Sequence, residues 1–117
     1  MSVNIHLSSK MLTISGNQDG QNETSYGDLS AYHVPWIVVP DSFATQHKIP
    51  PNAISAVICA GRMFYAIMGD TNGADPEVIG EGSILLGQTC FPKEGLNGGK
   101  GHSADDVLCI SLLVFVG

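Results

Sequence analysis

The stretch AISAVICAGRMFYAIMG, residues 53–69, sets two apolar runs on either side of Gly61. Each run is rich in Ile, Val, Phe, Tyr and Ala and free of proline, which suits a strand covered on both faces. A glycine at the break supplies the left-handed backbone that a tight reversal needs. The stretch therefore predicts a hairpin of residues 53–60 and 62–69 at the middle of a sheet or barrel.

The flanking segments fit strands around that hairpin. VLCISLLVFV, residues 107–116, is an unbroken aliphatic run and predicts another strand buried on both faces. YHVPWIVVP, residues 32–40, carries a proline within β-branched and aromatic residues, so its start is expected at an edge or a bulge. VNIHL at 3–7 and MLTIS at 11–15 alternate apolar and polar about an SSK break and predict a short hairpin with one wet face. Residues 16–30 and 92–106 are rich in Gly, Asn, Ser and Asp and predict long loops. Ser83 is a good N-cap before the proline-free SILLGQT, which predicts one brief helix. The expected class is all-β with one or two short helices, in a single domain over residues 1–117.

Composition narrows the function classes. Apolar residues make up 44% of the chain and charged residues 14%, a balance that fits a packed domain rather than disorder. The formal charge is −6, and the five Lys and Arg residues gather in no window, so the chain is not expected to bind nucleic acid. An acidic surface instead tolerates a cationic ligand. The apolar runs at 63–68 and 107–116 fall short of the roughly 18 residues of a membrane helix, and no membrane span is expected. The N-terminus MSVNIHLSSKMLTIS lacks a basic start followed by a long apolar core, so no secretory signal is read there. Cys59, Cys90 and Cys109 stand singly in apolar surroundings and are expected as buried free thiols.

Acids are concentrated in one place. GDTNGADPEVIGEGS, residues 69–83, carries Asp70, Asp75, Glu77 and Glu81. Such a group either solvates a loop or brings a pair of carboxyls to one bond, and glycoside hydrolysis uses such a pair as proton donor and proton acceptor. Fully extended, the eleven steps from Asp70 to Glu81 span roughly 36 Å, far beyond the ~6.5–9.5 Å of an inverting pair. The chain must double back, and TNGADP holds the Gly, Asn and Pro that reversal uses. Asp70 follows Gly69 and Glu81 follows Gly80, which lets backbone or substrate approach each carboxylate. Asp75 and Glu77 are expected to be solvated turn residues.

Other motifs are weaker. Asp70, Asn72 and Glu81 occupy positions 1, 3 and 12 of a calcium-loop register, but Ala74 and Asp75 stand at positions 5 and 6, where a ligand and a glycine belong. No metal is expected. GLNGGKG at 95–101 departs from a phosphate-binding loop in its glycine spacing and lacks the hydroxyl residue after Lys100. Ser83, in GEGSI, has no nucleophile-elbow pattern around it. His102 is expected to be solvated or at a substrate edge.

The order VPWIVVP, AVICAGRMFYAIMGDTNG, EVIGEGS, GQTCF and DVLCISLLVFVG resembles the fungal-type chitosanases of glycoside hydrolase family 75, over about residues 31–117. GDTNG followed by IGE is the most specific part, and QDGQNETSY at 18–26 is similar more loosely. The resemblance implies endo-hydrolysis of the cationic polymer chitosan at β-1,4 linkages between glucosamine units, with inversion and no cofactor. It implies Asp70 and Glu81 as the essential acids, and secretion. The layout of strand, Asp, glycine turn, acid, Ser and helix is similar to that of expansins and some lytic transglycosylases. That likeness implies a six-stranded double-psi β-barrel, with Glu81 as general acid and Asp70 as general base. Thr71, Asn72 and Trp36 are the expected substrate contacts, Trp36 because aromatic faces stack on sugars. A monomer is expected. Two rival functions are a peptidoglycan lytic transglycosylase, which needs a single acid, and a non-catalytic expansin-like glycan-binding module.

Overall fold

The central reversal is made by Ala60 and Gly61, with φ of 49° and 72°. Positive φ at both turn positions is the backbone of a two-residue hairpin turn whose twist matches its strands. The computed structural model describes residues 29–73, 76–77, 79–104 and 106–110 in full, and residues 2–8, 12–14 and 111–113 as backbone. Around the turn, β4 (Ile54–Cys59) pairs antiparallel with β5 (Arg62–Asn72), from Cys59 opposite Arg62 to Ile54 opposite Ile67. The remaining strands are β1 (Ser2–Ser8), β2 (Leu12–Ile14), β3 (Trp36–Pro40), β6 (Glu81–Ser83) and β7 (Val107–Leu113). They form one sheet in the order β1-β7-β4-β5-β3-β6-β2, which places both hairpin strands in its interior. The class is all-β, with two short helices.

Three local readings are corrected. Segments 3–7 and 11–15 contain strands, but these do not pair with each other. β1 runs antiparallel to β7, and β2 runs parallel to β6. Alternation fixes which residues of a strand share a face and leaves the partner open. β3 is not at an edge but is an inner strand, parallel to β5 on one side and antiparallel to β6 on the other, although its pairing with β5 does carry a register shift between Ile37 and Val38. Its proline problem is avoided because Pro35 lies before the strand and Pro40 ends it. Two of the three cysteines are joined: Cys59, closing β4, and Cys90, closing the second helix, form a disulfide with 5.6 Å between their Cα atoms. Cys109 is free and buried, and burial pushes its thiol up to about 11.

The helices follow β3 and β6 directly. α1 (Asp41–His47) starts where β3 ends and packs Phe43 and Ala44 on the main core. α2 (Ile84–Cys90) begins after Ser83, whose hydroxyl accepts from the Leu86 N–H, the expected N-cap. The same buried hydroxyl accepts from the Trp36 N–H at 3.1 Å. One side chain thus fixes both the start of a helix and the start of β3. The main core lies on one face of the sheet and includes Ile37, Val39, Val57, Ala66, Met68, Leu86 and Val107. Leu29, Ala31, Trp36, Val38 and Ile84 form a smaller cluster.

Candidate active site

The side on which Asp70 lies is decided one residue earlier. Ile37 of β3 pairs with Met68 of β5, but the next pair is Val38 with Asp70, so Gly69 is an extra residue bulged out of the ladder. Side chains alternate along a strand, and a slip of one residue exchanges the faces. Without the bulge, Asp70 would stand beside Val39 and enter the main core, where an unpaired carboxylate costs several kcal/mol (on the order of the buried-charge penalty). With it, Thr71 stands beside Val39 and Asp70 beside Val38. Gly69 is needed at the bulge because a Cβ there would lie 2.8 Å from Leu29 Cδ1 and 3.0 Å from Trp36 Cβ.

Glu81 reaches the same place from the other side. β6 pairs antiparallel with β3, and Val38 is opposite Glu81. Val38 therefore has Asp70 on one flank and Glu81 on the other, and residues opposite one another share a face. Two strand spacings separate their backbones, roughly 10 Å. The turn from β5 to β6 thus performs the reversal expected of residues 69–83. Gly80, with φ of 95°, delivers the chain into Glu81 through a conformation that side-chain-bearing residues rarely adopt.

Asn72 joins the two flanks. Its side-chain amide Nδ2 donates to Glu81 Oε1 at 2.8 Å. Glu81 is half-buried, and its carboxyl is held above the ordinary glutamate range. Burial is the largest cause, the Asn72 hydrogen bond opposes it, and the negative charge of Asp70 adds to it. Asp70 itself accepts the Thr71 N–H through Oδ1 at 2.8 Å. A carboxyl biased toward its protonated form beside a second carboxylate is an arrangement suited to donating one proton and accepting another.

The other expected residues are placed as follows. Thr71 and Asn72 are part-buried neighbours of Asp70 on β5. Trp36 is 0% exposed and packed under Gly69 in the smaller core cluster, so stacking on a sugar would first require uncovering its ring. Glu77 is exposed, as expected of a turn residue, but it is not merely solvated. Its Oε2 accepts the Ser42 N–H at 2.9 Å and its Oε1 the Ser42 hydroxyl at 2.7 Å, clamping the turn onto the first turn of α1. Asp75 and the segment 15–28 lie outside the described residues. His102 is corrected: it is buried, stacked on Phe91 with ring centroids 3.6 Å apart, and held between Glu94 (2.8 Å from Nδ1) and Asp106 (2.7 Å from Nε2). Burial works against its charge, but the two carboxylates outweigh it and raise its affinity for the proton. The His102 to Asp106 spacing of four was the visible signal, and Glu94 was not predictable as its second partner.

Comparison with known proteins gives this geometry a context. Endo-chitosanase C of Aspergillus oryzae is 56% identical to this chain over 104 residues, covering 87% of this chain and 27% of that protein. An endo-chitosanase of Aspergillus fumigatus is 38% identical over 106 residues, covering 78% of this chain and 44% of that protein. Endo-chitosanase B of Aspergillus oryzae is 37% identical over 89 residues, covering 71% and 36%. The chain thus spans less than half the length of each of these relatives. The family described as fungal chitosanase of glycosyl hydrolase group 75 matches residues 7–117, a span that includes both acids and strands β2 to β7. With nearly the whole chain matched, the protein belongs to the fungal chitosanase family, glycosyl hydrolase group 75.

Proposed function

We propose that this chain hydrolyses β-1,4 linkages between glucosamine units of chitosan by inversion, with Glu81 as general acid and Asp70 as general base. The observation that carries the reading is the placement of Glu81 and Asp70 on opposite flanks of Val38, with Glu81 raised toward its protonated form. Glu81 gives its proton to the glycosidic oxygen as the bond from the anomeric carbon to that oxygen breaks. Asp70 takes a proton from a water whose oxygen bonds to the same carbon from the opposite face. The products are a new reducing end and a freed hydroxyl, with the proton balance restored by exchange with solvent. Backbones roughly 10 Å apart are compatible with the ~6.5–9.5 Å between the carboxyls of an inverting pair. The net charge of −6 favours a polycationic substrate.

The same reading takes the chain as a single domain that acts as a secreted monomer without a cofactor, with Thr71 at the substrate's edge. Secretion is supported by the Cys59–Cys90 disulfide, since such cross-links persist in oxidising compartments. A double-psi barrel is supported by two parallel pairs, β3 with β5 and β2 with β6, within an otherwise antiparallel sheet.

The test is release of reducing ends from chitosan, chitin and peptidoglycan side by side, with the anomeric form of the first product followed by NMR. Wild type should cut chitosan and release the inverted anomer, and Glu81→Gln or Asp70→Asn should each lower the rate by ~10²–10⁴-fold. Cleavage of peptidoglycan alone, with Asp70→Asn still active, would replace this function by a lytic transglycosylase. Chitosan binding without any new reducing ends would replace it by an expansin-like module.

A further inference from the structure

Asn72 was expected at the substrate, yet its amide is turned onto a catalytic acid instead. We propose that Asn72 is a positioning residue: by donating to Glu81 Oε1 it reserves Oε2 as the oxygen that carries the proton to the glycosidic bond. The proposal deepens the function proposed above and rests on it.

Hydrogen-bond capacity decides which carboxyl oxygen of Glu81 carries the proton. An amide NH₂ offers only hydrogens on its nitrogen, while a carboxyl in its neutral form has one oxygen bearing hydrogen and one bearing lone pairs. With Nδ2 at 2.8 Å from Oε1, a proton on Oε1 would lie against the amide hydrogens. The neutral acid therefore keeps Oε1 as acceptor, and its proton resides on Oε2. The contact also survives ionisation, because Oε1 accepts in both states. The carboxyl keeps one orientation before and after it gives up its proton.

The choice of an amide is itself informative. A lysine or arginine at position 72 would hold Glu81 ionised through its charge, and an acid would repel it. Asn72 orients without adding charge, so burial and Asp70 still hold the carboxyl above the ordinary range despite the donated hydrogen bond.

Its address on the strand adds a second role. Asn72 lies two positions after Asp70 on β5, on the same face, and Glu81 belongs to β6 on the far side of β3. The bond therefore ties the acid of one strand to the strand that carries the base. It crosses β3 from the position beside Pro40 to the position beside Val38, and so restrains Glu81 relative to the strand of Asp70, a separation on which an inverting mechanism depends.

The experiment uses the full chain with Asn72→Ala and the near-isosteric Asn72→Asp. The Glu81 carboxyl is titrated by carbon-13 NMR, and kcat, KM and the pH–rate profile are measured on chitosan. Loss of the donor should move the Glu81 titration to higher pH in both variants, further in Asn72→Asp, which adds a negative charge. The alkaline limb of the rate profile should move up with it, because that limb reports ionisation of the acid. At the optimum kcat should fall by roughly 10–100-fold from lost orientation, with KM nearly unchanged. A raised KM with unchanged kcat and an unmoved Glu81 titration would make Asn72 a substrate contact and overturn the proposal. A lowered melting temperature with an unmoved titration would make it merely structural, and overturn it too. If wild type cuts no chitosan, the proposed function fails on that result alone. The titration then still judges the Asn72 contact, and an unmoved Glu81 ends the proposal.

Discussion

Replacing Gly69 by alanine tests whether the bulge that turns Asp70 away from the core depends on the missing side chain. The added Cβ would meet Leu29 Cδ1 at 2.8 Å, Trp36 Cβ at 3.0 Å and Trp36 Cγ at 3.1 Å. Leu29 Cδ1 is the end of a flexible side chain and can turn aside. Trp36 Cβ cannot, because it sits one bond from the backbone of an inner strand and its ring is fully buried. The relief must come from separating β5 and β3. Overpacking of this kind costs about 1–3 kcal/mol. For a chain of this length the unfolding entropy is on the order of 0.25 kcal/mol per degree, so the melting temperature should fall by roughly 4–12 °C. Separation of β5 from β3 also moves Asp70 relative to Glu81, and a displacement near 1 Å costs ~10²-fold in rate. Circular dichroism melting and a reducing-end assay below the melting point read the two effects. Gly82→Ala is the control, since its Cβ would meet Leu86 Cδ2 only at 3.3 Å and the Trp36 carbonyl at 3.4 Å, and it should be the milder change. A Gly69→Ala protein that melts within about 2 °C of wild type and keeps its rate would refute the link between bulge and site.

Two further outcomes follow from the stabilising contacts. Cys59→Ser, which opens a loop with a sequence separation of 31, should cost roughly 3–4 kcal/mol by the loop-closure relation, and denaturant unfolding of wild type under non-reducing conditions is the comparison. Equal stability of the two would show that the cross-link does not form. The second concerns pH. The carboxylates of Glu94 and Asp106 raise the proton affinity of His102 above its ordinary value of 6.5, so the folded chain holds this proton more tightly than the unfolded chain. The resulting stability is fully present below the unfolded pKa and is lost as pH rises through the raised folded pKa. Melting temperature should therefore decline on the alkaline side of 6.5, and His102→Gln should flatten that part of the curve. A slope of the same size in the variant would assign it to other groups.

What could be read from the sequence was what neighbouring residues decide together. The hairpin about Gly61 was legible because two apolar runs flank the one residue that suits its turn, and the structure also places Ala60 at positive φ there. The helix after Ser83 was legible from its cap and the absence of proline. α1 was not named, and the reason is physical: Pro40 gives it no side-chain cap, and its first turn is held by Glu77, which is distant in the chain. The disulfide was missed because Cys59 and Cys90 share no motif and meet only when α2 packs on the main core. The two acids stood out in the sequence through their glycines. Their placement on the two flanks of Val38 did not, since it depends on a one-residue slip between strands that are far apart in sequence. His102 was misread because a glycine-rich surrounding suggests solvent, whereas its burial comes from the Phe91 ring.

The position of Val38 has a consequence for the order of assembly. The β4–β5 hairpin closes over a short loop and can form from local contacts alone, carrying Asp70 at its end. Glu81, however, meets Asp70 only across an intervening strand contributed by an earlier part of the chain, and such distant pairings are entropically slow to close. A refolding chain can thus regain the β4–β5 hairpin while Asp70 and Glu81 are still apart, and the two acids meet when β3 pairs with both of their strands.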